Sequence, residues 1–261
     1  MIRYFFTILA SLFILSSCRE KPKEPTSPVS ENTNVDESGF VTIFDGATLN
    51  GWKGDPVYWH AENGILVGEI TPQTLLKSNT FLIWKEELHD FELKAEFKIS
   101  EKGNSGINYR STILDSVPFA LRGYQADIDG QHRYTGQNYE ERKRATLAYR
   151  GERVEIVARE NSISKESLRA NIKQNAWQSR EVLESLGTAD SLRTVIHDDD
   201  WNQCHMIIQG NRLKHYVNGI LMSEVIDNDT LNRSLSGFLG LQAHRGPPMK
   251  VMYRNILLKK L

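Results

Sequence analysis

Cysteine is almost missing from this chain: 261 residues hold two, Cys18 and Cys204. With Cys18 assigned to another use below, no intramolecular disulfide can form, so the fold must be held by its own core. Cys204 stands among Trp201, His205, Met206, Ile207 and Ile208. That setting suits a small buried thiol, and nothing local would depress its pKa, which argues against a nucleophile. Paired cysteines, a His-Glu-x-x-His helix, a phosphate-cradling glycine loop and a Gly-x-Ser-x-Gly elbow are also absent, so the chemistries those motifs carry lose their support. Charge of one sign is lacking too. Thirty-two Lys and Arg oppose 33 Asp and Glu, and the net charge of -1 gives no long-range field for nucleic acid. There is no internal repeat and no βαβ alternation.

What is present begins with an export signal. Arg3 is followed by an apolar run from Tyr4 to Leu15, too short to span a membrane comfortably. It ends in Leu15-Ser16-Ser17-Cys18, which resembles the lipobox of bacterial lipoproteins and implies that Cys18 is diacylated and becomes the new N-terminus. A plain signal followed by a chance cysteine is the other reading. Residues 19–38 lack aromatics and carry three prolines among polar residues, as a flexible tether would. The expected organisation is therefore a signal peptide over 1–17, a lipidated cysteine and linker over 18–38, and one domain over 39–261. The expected location is the bacterial cell envelope, on the outer membrane, facing the periplasm or the cell surface. The lipid would be the only membrane contact.

Strand signals dominate the domain. In "HDFELKAEFKIS", Phe91, Leu93, Ala95, Phe97 and Ile99 alternate with Glu92, Lys94, Glu96 and Lys98, predicting one buried and one wet face. "TFLIW" is a continuous apolar run expected to be a central strand. Asn63-Gly64 and Asn218-Gly219 are hairpin turns, with Asn-Gly supplying positive φ. "KESLRANIKQ" and "ADSLRTVIHDDDW" are two short candidate helices. Ten or more strands in about 220 residues predict two antiparallel sheets packed face to face, and periodicity alone leaves sandwich and barrel open.

Four clusters can carry chemistry, and each has a plain alternative. "GYQADIDGQH" sets Gln125, Asp127 and Asp129 on alternate positions, hence one strand face, about 7 Å between successive members; an ordinary wet sheet would look the same. "GNSGINYRS" enters a strand through a tight turn and alternates Ile107 and Tyr109 with Asn108 and Arg110. "YTGQNYEERKRATLAYRGE" gathers Glu140, Glu141, Arg142, Lys143 and Arg144 beside three tyrosines, as a solvated loop also would. "LQAHRGPPMK" ends a strand at His244. No cofactor is expected, although Asp127, Asp129, Glu140 and Glu141 could together form a carboxylate cluster for calcium.

Seven stretches occur in order: "FDGATLNGW", "AENGILVGE", "HDFELKAEFKISEKGNSGINYRS", "GYQADID", "YTGQNYEER", "DDDWNQCHMIIQGNRLKHYVNGILMSEVID" and "GLQAHRGPPMKVMYRNILLK". Together they resemble the 3-keto-disaccharide hydrolase family over nearly the whole body from Phe40 onward. The resemblance implies an all-β, concanavalin A-like jelly roll of two antiparallel sheets with one or two short helices, holding carbohydrate on a concave face. It further implies cleavage of glycosides whose sugar carries a ketone at C3, by hydrolysis or by elimination across C1 and C2. The ketone acidifies the hydrogen at C2, so cleavage needs a base, a group near the enolate oxygen and an acid for the leaving oxygen.

The expected set is Asp127 or His244 as base, Arg110 at the enolate or a ring hydroxyl, and Glu140 or Glu141 as acid. Gln125, Tyr109, Asp129 and Arg142 are expected to contact substrate, with Asp129, next to the Gly130 turn, a rim or loop-shaping residue and a tyrosine ring available for stacking. Lys143 and Ala145 stand where family members more often carry glycine, so the backbone of that loop is expected to differ. A non-catalytic carbohydrate-binding module is the rival reading; convergence of Arg110, His244 and the two glutamates on one pocket would favour the enzyme. A structural domain with an accidental polar face is the third.

Overall fold

The computed structural model describes residues 38–158 and 179–261, with the isolated positions 1 and 170. The expected signal peptide, Cys18, the tether and the helix at "KESLRANIKQ" lie outside the described residues.

The strands, in chain order, are β1 (Val41–Thr42), β2 (Trp52–Lys53), β3 (Trp59–Glu62), β4 (Ile65–Ile70), β5 (Thr80–Leu88), β6 (Phe91–Ile99), β7 (Asn104–Leu114), β8 (Ala120–Asp129), β9 (Asn138–Glu141), β10 (Ala145–Ala148), β11 (Glu152–Ile156), β12 (Arg180–Ser185), β13 (Asn202–Gln209), β14 (Arg212–Val217), β15 (Ile220–Asp227), β16 (Gly237–Ala243) and β17 (Met249–Lys260). They form a ten-stranded sheet, ordered β12-β11-β15-β14-β13-β6-β17-β4-β3 with β1 beside β17, and a seven-stranded sheet, ordered β10-β9-β8-β7-β16-β5-β2. The two sheets sandwich one hydrophobic core, as a jelly roll does. Pairing is antiparallel except where β11 runs parallel to β15.

Strand β6 shows the expected alternation without a break: every odd position from Phe91 to Ile99 is buried and every even one half-buried. Its apolar face lies against the core, and its Glu and Lys face solvent. Both Asn-Gly turns adopt the left-handed backbone that hairpins of this type need: φ is 51° and 79° at Asn63 and Gly64, and 48° and 81° at Asn218 and Gly219. The one described helix, α1 (Ala189–Arg193), falls inside "ADSLRTVIHDDDW"; its N-cap Thr188 accepts from the Ser191 amide at 3.1 Å.

"TFLIW" is not central. It opens β5, which has only the two-residue β2 between it and the sheet edge. Its unbroken apolar character has another cause: both of its faces are covered. Leu82 and Trp84 point into the main core, whereas Phe81 and Ile83 join Leu121 and Phe238 in a small second cluster on the outer face of the seven-stranded sheet.

That second cluster exists because the β7–β8 hairpin bends back over its own sheet. The register shifts between Tyr109 and Thr112, and Arg110 takes a left-handed φ of 44°. The bend needs glycine at its inner side: a Cβ at position 123 would stand 2.4 Å from Ser111 Oγ. The hairpin end then lands on β5 and β16. The Phe81 amide donates to the Phe119 carbonyl at 2.9 Å, and a Cβ at Gly240 would meet Leu121 at 2.4 Å. One end of the outer face is thus closed by apolar packing, and the other end is left open.

Candidate active site

The open end is polar. On β8, Tyr124, Ala126 and Ile128 belong to the core, so Gln125 and Asp127 face outward. On the neighbouring β9, Asn138 and Glu140 face inward, which leaves Tyr139 and Glu141 outward. On β16, Leu239, Leu241 and Ala243 are core residues, so Gln242 and the following His244 are outward. Gly106 of β7 sits between these strands and leaves room for Gln125: a Cβ there would lie 2.6 Å from the glutamine's Cγ and Cδ.

These side chains surround two adjoining cavities. One, about 200 Å³, is lined by Asn104, Gln125, Asp127, Tyr134, Gln137, Tyr139, Glu141 and His244. The other, about 290 Å³, shares Tyr139, Glu141 and His244 and adds Lys77, Ser78, Asn79, Arg142 and Arg245. A chain of amides holds the carboxylates. Gln125 and Gln137 donate through Nε2 to the two oxygens of Asp127, the latter at 2.6 Å. Gln242 Nε2 donates to Gln125 Oε1 at 2.9 Å and to Glu141 Oε2 at 3.4 Å, and Asn79 Nδ2 donates to Glu141 Oε1 at 3.1 Å.

Burial sets the proton affinities, with no cation paired to Asp127 and only the partly exposed Arg142 beside Glu141. Desolvation pushes Asp127 up from 3.8 to about 7, against the lowering effect of its two glutamine donors; the negative charges of Glu141 and Asp129 add to the rise. Glu141 is raised as well, again by burial, with the Arg142 charge and the Asn79 and Gln242 donors opposing. His244 is lowered, chiefly by burial, so its ring is neutral at pH 7. The site therefore brings together an acid that titrates near neutrality, a second raised carboxyl and a neutral imidazole. That combination suits proton transfer.

Of the expected site residues, Gln125, Asp127, Glu141 and His244 converge here, and Arg142 stands at the mouth with its guanidinium on Ser78 Oγ at 2.6 Å and 3.5 Å from Glu141. Four others do not. Arg110, turned by the β7 bulge, is buried elsewhere: it pairs with Asp90 at 2.7 Å and donates to the carbonyls of His89 and Gly210 at 2.9 and 2.6 Å. Tyr109 faces the core, stacked on Tyr124 with ring centroids 5.5 Å apart and bonded to His215 at 2.9 Å, so no sugar can reach its ring. Glu140 faces inward and is held by Arg144 at 2.5 Å and Lys143 at 3.0 Å. Asp129 takes the loop-shaping one of its two expected roles, accepting the amides of Arg133, Tyr134 and Thr135 at 3.1, 2.8 and 3.0 Å.

With Asp129 and Glu140 so engaged, the four carboxylates do not gather into a calcium cluster, and no group of three or more metal-ligating side chains occurs among the described residues. Cys204 is buried, and burial pushes its thiol up to about 12, which removes it as a nucleophile.

Sequence reasoning missed Asn79, Asn104, Tyr134, Gln137, Tyr139 and Gln242. Parity offered two of them. Gln242 lies two residues before His244, and Tyr139 two before Glu141. Asn79 had no signal, since it reaches Glu141 from 62 residues away at the start of β5. In the loop at 142–145, Arg142 and Ala145 take left-handed φ values of 57° and 66°.

The chain is similar to known proteins in sequence and in fold. Over 82 residues the chain is 39% identical to the 3-keto-disaccharide hydrolase of Bacteroides thetaiotaomicron, a match that spans 29% of this chain and 28% of that protein. Two solved structures of candidate glycosyl hydrolases from Parabacteroides distasonis share the fold, each with a TM-score of 0.53. They are 17% and 19% identical and are matched over 99% and 94% of their length by 85% and 86% of this chain. With residues 39–259 matching its model, the chain belongs to the 3-keto-alpha-glucoside-1,2-lyase-like domain family, a carbohydrate-active one.

Proposed function

We propose that this domain cleaves the glycosidic bond of 3-keto-glycosides by elimination across C1 and C2. One observation carries the reading. Asp127, with a pKa of about 7 and two amide donors in place of a cation, faces the same cavity as Glu141 and His244. A carboxylate raised to about 7 is a stronger base than an ordinary one and is still about half ionised at neutral pH.

In the reaction, Asp127 takes the C2 hydrogen as a proton, and the C2–H electrons move into an enolate whose negative charge sits on the C3 oxygen. Neutral donors of the site, the His244 ring and the Tyr139 hydroxyl, meet that oxygen. The enolate then collapses. The C3 ketone re-forms, C1 and C2 become doubly bonded, the C1–O bond breaks, and Glu141 gives its proton to the leaving oxygen. The products are an unsaturated keto-sugar and the free alcohol. Addition of water across the new double bond would complete a net hydrolysis.

The test is to incubate the domain with a C3-oxidised glycoside and with its unoxidised parent, following the enone by ultraviolet absorbance and the alcohol by chromatography. Cleavage of the ketone alone, with kcat/KM rising through about pH 7 and falling about 10²- to 10⁴-fold in Asp127→Asn, is the expected result. Cleavage of both would mean a conventional glycosidase, and cleavage of neither a binding module.

A further inference from the structure

The second of the two adjoining cavities, about 290 Å³, has a wall that the proton transfers do not use. Three cations stand in it, each from a different segment: Lys77 ahead of β5, Arg142 after β9 and Arg245 after β16. Hydrogen bonds hold the three segments together. Arg142 Nη2 donates to Ser78 Oγ at 2.6 Å, Asn79 Nδ2 to Glu141 Oε1 at 3.1 Å, and the Arg245 amide to Asn79 Oδ1 at 3.0 Å. Arg142 is presented from a left-handed backbone, φ 57°, which is strained for residues other than glycine. The positions from which the three side chains start are therefore fixed by the fold.

These charges are not matched from within. Among the described residues, neither Lys77 nor Arg245 forms an ion pair, although Asp55 lines a neighbouring cavity with Lys77. Arg142 has one carboxylate beside it, Glu141 at 3.5 Å, which is the only acid on the wall and is held back from ionising by burial. The whole chain carries a net charge of -1, so three cations around one opening are a local concentration and not the background of the surface. Their field reaches inward: the Arg245 charge adds to burial in lowering His244. Asp127 lines the first cavity and not the second, so the ring whose C2 faces it belongs in the first. The rest of the glycoside is what the second can take.

We propose that the second cavity is a subsite for an acidic group, and that the substrates are glycosides carrying a carboxylate or a phosphate outside the ketone-bearing ring. Naming these as substrates rests on the elimination reading above; binding of the anion does not. The guanidinium forks of Arg142 and Arg245 match the paired oxygens of either acid, and the Lys77 ammonium adds a further donor. An acid bound there would pair with Arg142 and weaken its pull on Glu141, leaving that carboxyl better protonated for its part as the acid.

The test reads binding first, without turnover. Methyl glucoside, methyl glucuronide and methyl glucoside 6-phosphate differ only at C6 and are titrated by calorimetry. At least one acidic probe should bind about tenfold or more tightly than the neutral one, with the gap narrowing in about 0.5 M salt. Whichever acid binds more tightly names the group the site takes. Lys77→Gln combined with Arg245→Gln should cut the preference about fivefold or more; both positions are exposed, and thermal melting checks the fold. Lys214→Gln, which removes a charge from β14 on the other sheet, should leave the preference unchanged. Equal or undetectable binding of all three probes, or a preference unmoved by the double substitution, would overturn the subsite. Turnover is then compared on two 3-keto-glucosides whose leaving groups are glucose and the preferred acidic sugar, and the acidic one should have the higher kcat/KM, mostly through KM. Tighter binding of the acid with neither ketone cleaved would overturn the reaction and leave the subsite standing. Equal binding with both ketones cleaved equally would overturn the subsite and leave the reaction.

Discussion

Asp127→Asn should make the protein more stable at neutral and alkaline pH while removing its activity. The carboxyl is 8% exposed, and burial raises it from 3.8 to about 7. The difference is roughly three pKa units, or about 4 kcal/mol at about 1.4 kcal/mol per unit. The sign follows from which state binds the proton more tightly. With the folded value above the unfolded one, the native state is favoured in full below pH 3.8. That advantage is lost as pH rises through the window to about 7, beyond which the loss is constant. An amide does not ionise, so the variant escapes the loss. It must still satisfy two glutamine donors with one carbonyl, although Gln137 can turn its amide to accept instead. The net gain above pH 7 is therefore about 2–4 kcal/mol. Urea unfolding of both proteins at pH 4.5, 5.5, 6.5 and 8 measures it. The stability difference should grow across the first three and level off at the last. Parallel curves at all four would mean that Asp127 is not raised, and the case for it as base would fall with that result.

Two further substitutions test how the site is built. Gly106→Ala places a Cβ where it would meet Gln125 at 2.6 Å, displacing the donor that orients Asp127; kcat should fall about tenfold or more, with a smaller change in KM and a melting temperature within a few degrees of the parent. Ala145→Gly relieves a left-handed backbone at φ 66° and should stabilise the domain by up to about 1 kcal/mol in denaturant unfolding, since the strain of about 1–2 kcal/mol is partly offset by glycine's greater freedom in the unfolded chain.

How far the sequence could be read depended on whether local pattern or tertiary contact set each position. Strand β6 was legible because one face meets the core and the other meets water along its whole length. Gln125 and Asp127 were legible for the same reason, with apolar neighbours marking the inner face of β8. Arg110 was not. Alternation along "GNSGINYRS" assigns it to the face of Asn108, but the bulge that bends the hairpin onto β5 and β16 inverts the count at that residue, and no local residue announces that distant contact. "NYEE" was hidden differently. The charges around it masked a four-residue strand, so Glu140 and Glu141 stood as equivalent candidates until β9 placed them on opposite faces.

That separation explains why so few of the buried carboxyls are candidates for moving protons. Glu140, Asp227 and Asp229 lie between the sheets, all three within 3.5 Å of the Arg144 guanidinium, which is itself buried. A carboxylate so paired has its lone pairs committed, and removing Arg144 would strand several buried charges, a loss that for even one broken pair is about 3–5 kcal/mol. The inner cluster is thus fitted to hold β9, β10 and β15 together. On the outer face the counter-charge is weaker. Asp127 receives only neutral amides, and Glu141 has amides and the partly exposed Arg142 at 3.5 Å, so burial raises both. Adjacent positions of one short strand therefore carry the same functional group to opposite ends, and the deciding variable is whether a guanidinium follows the carboxylate into the protein.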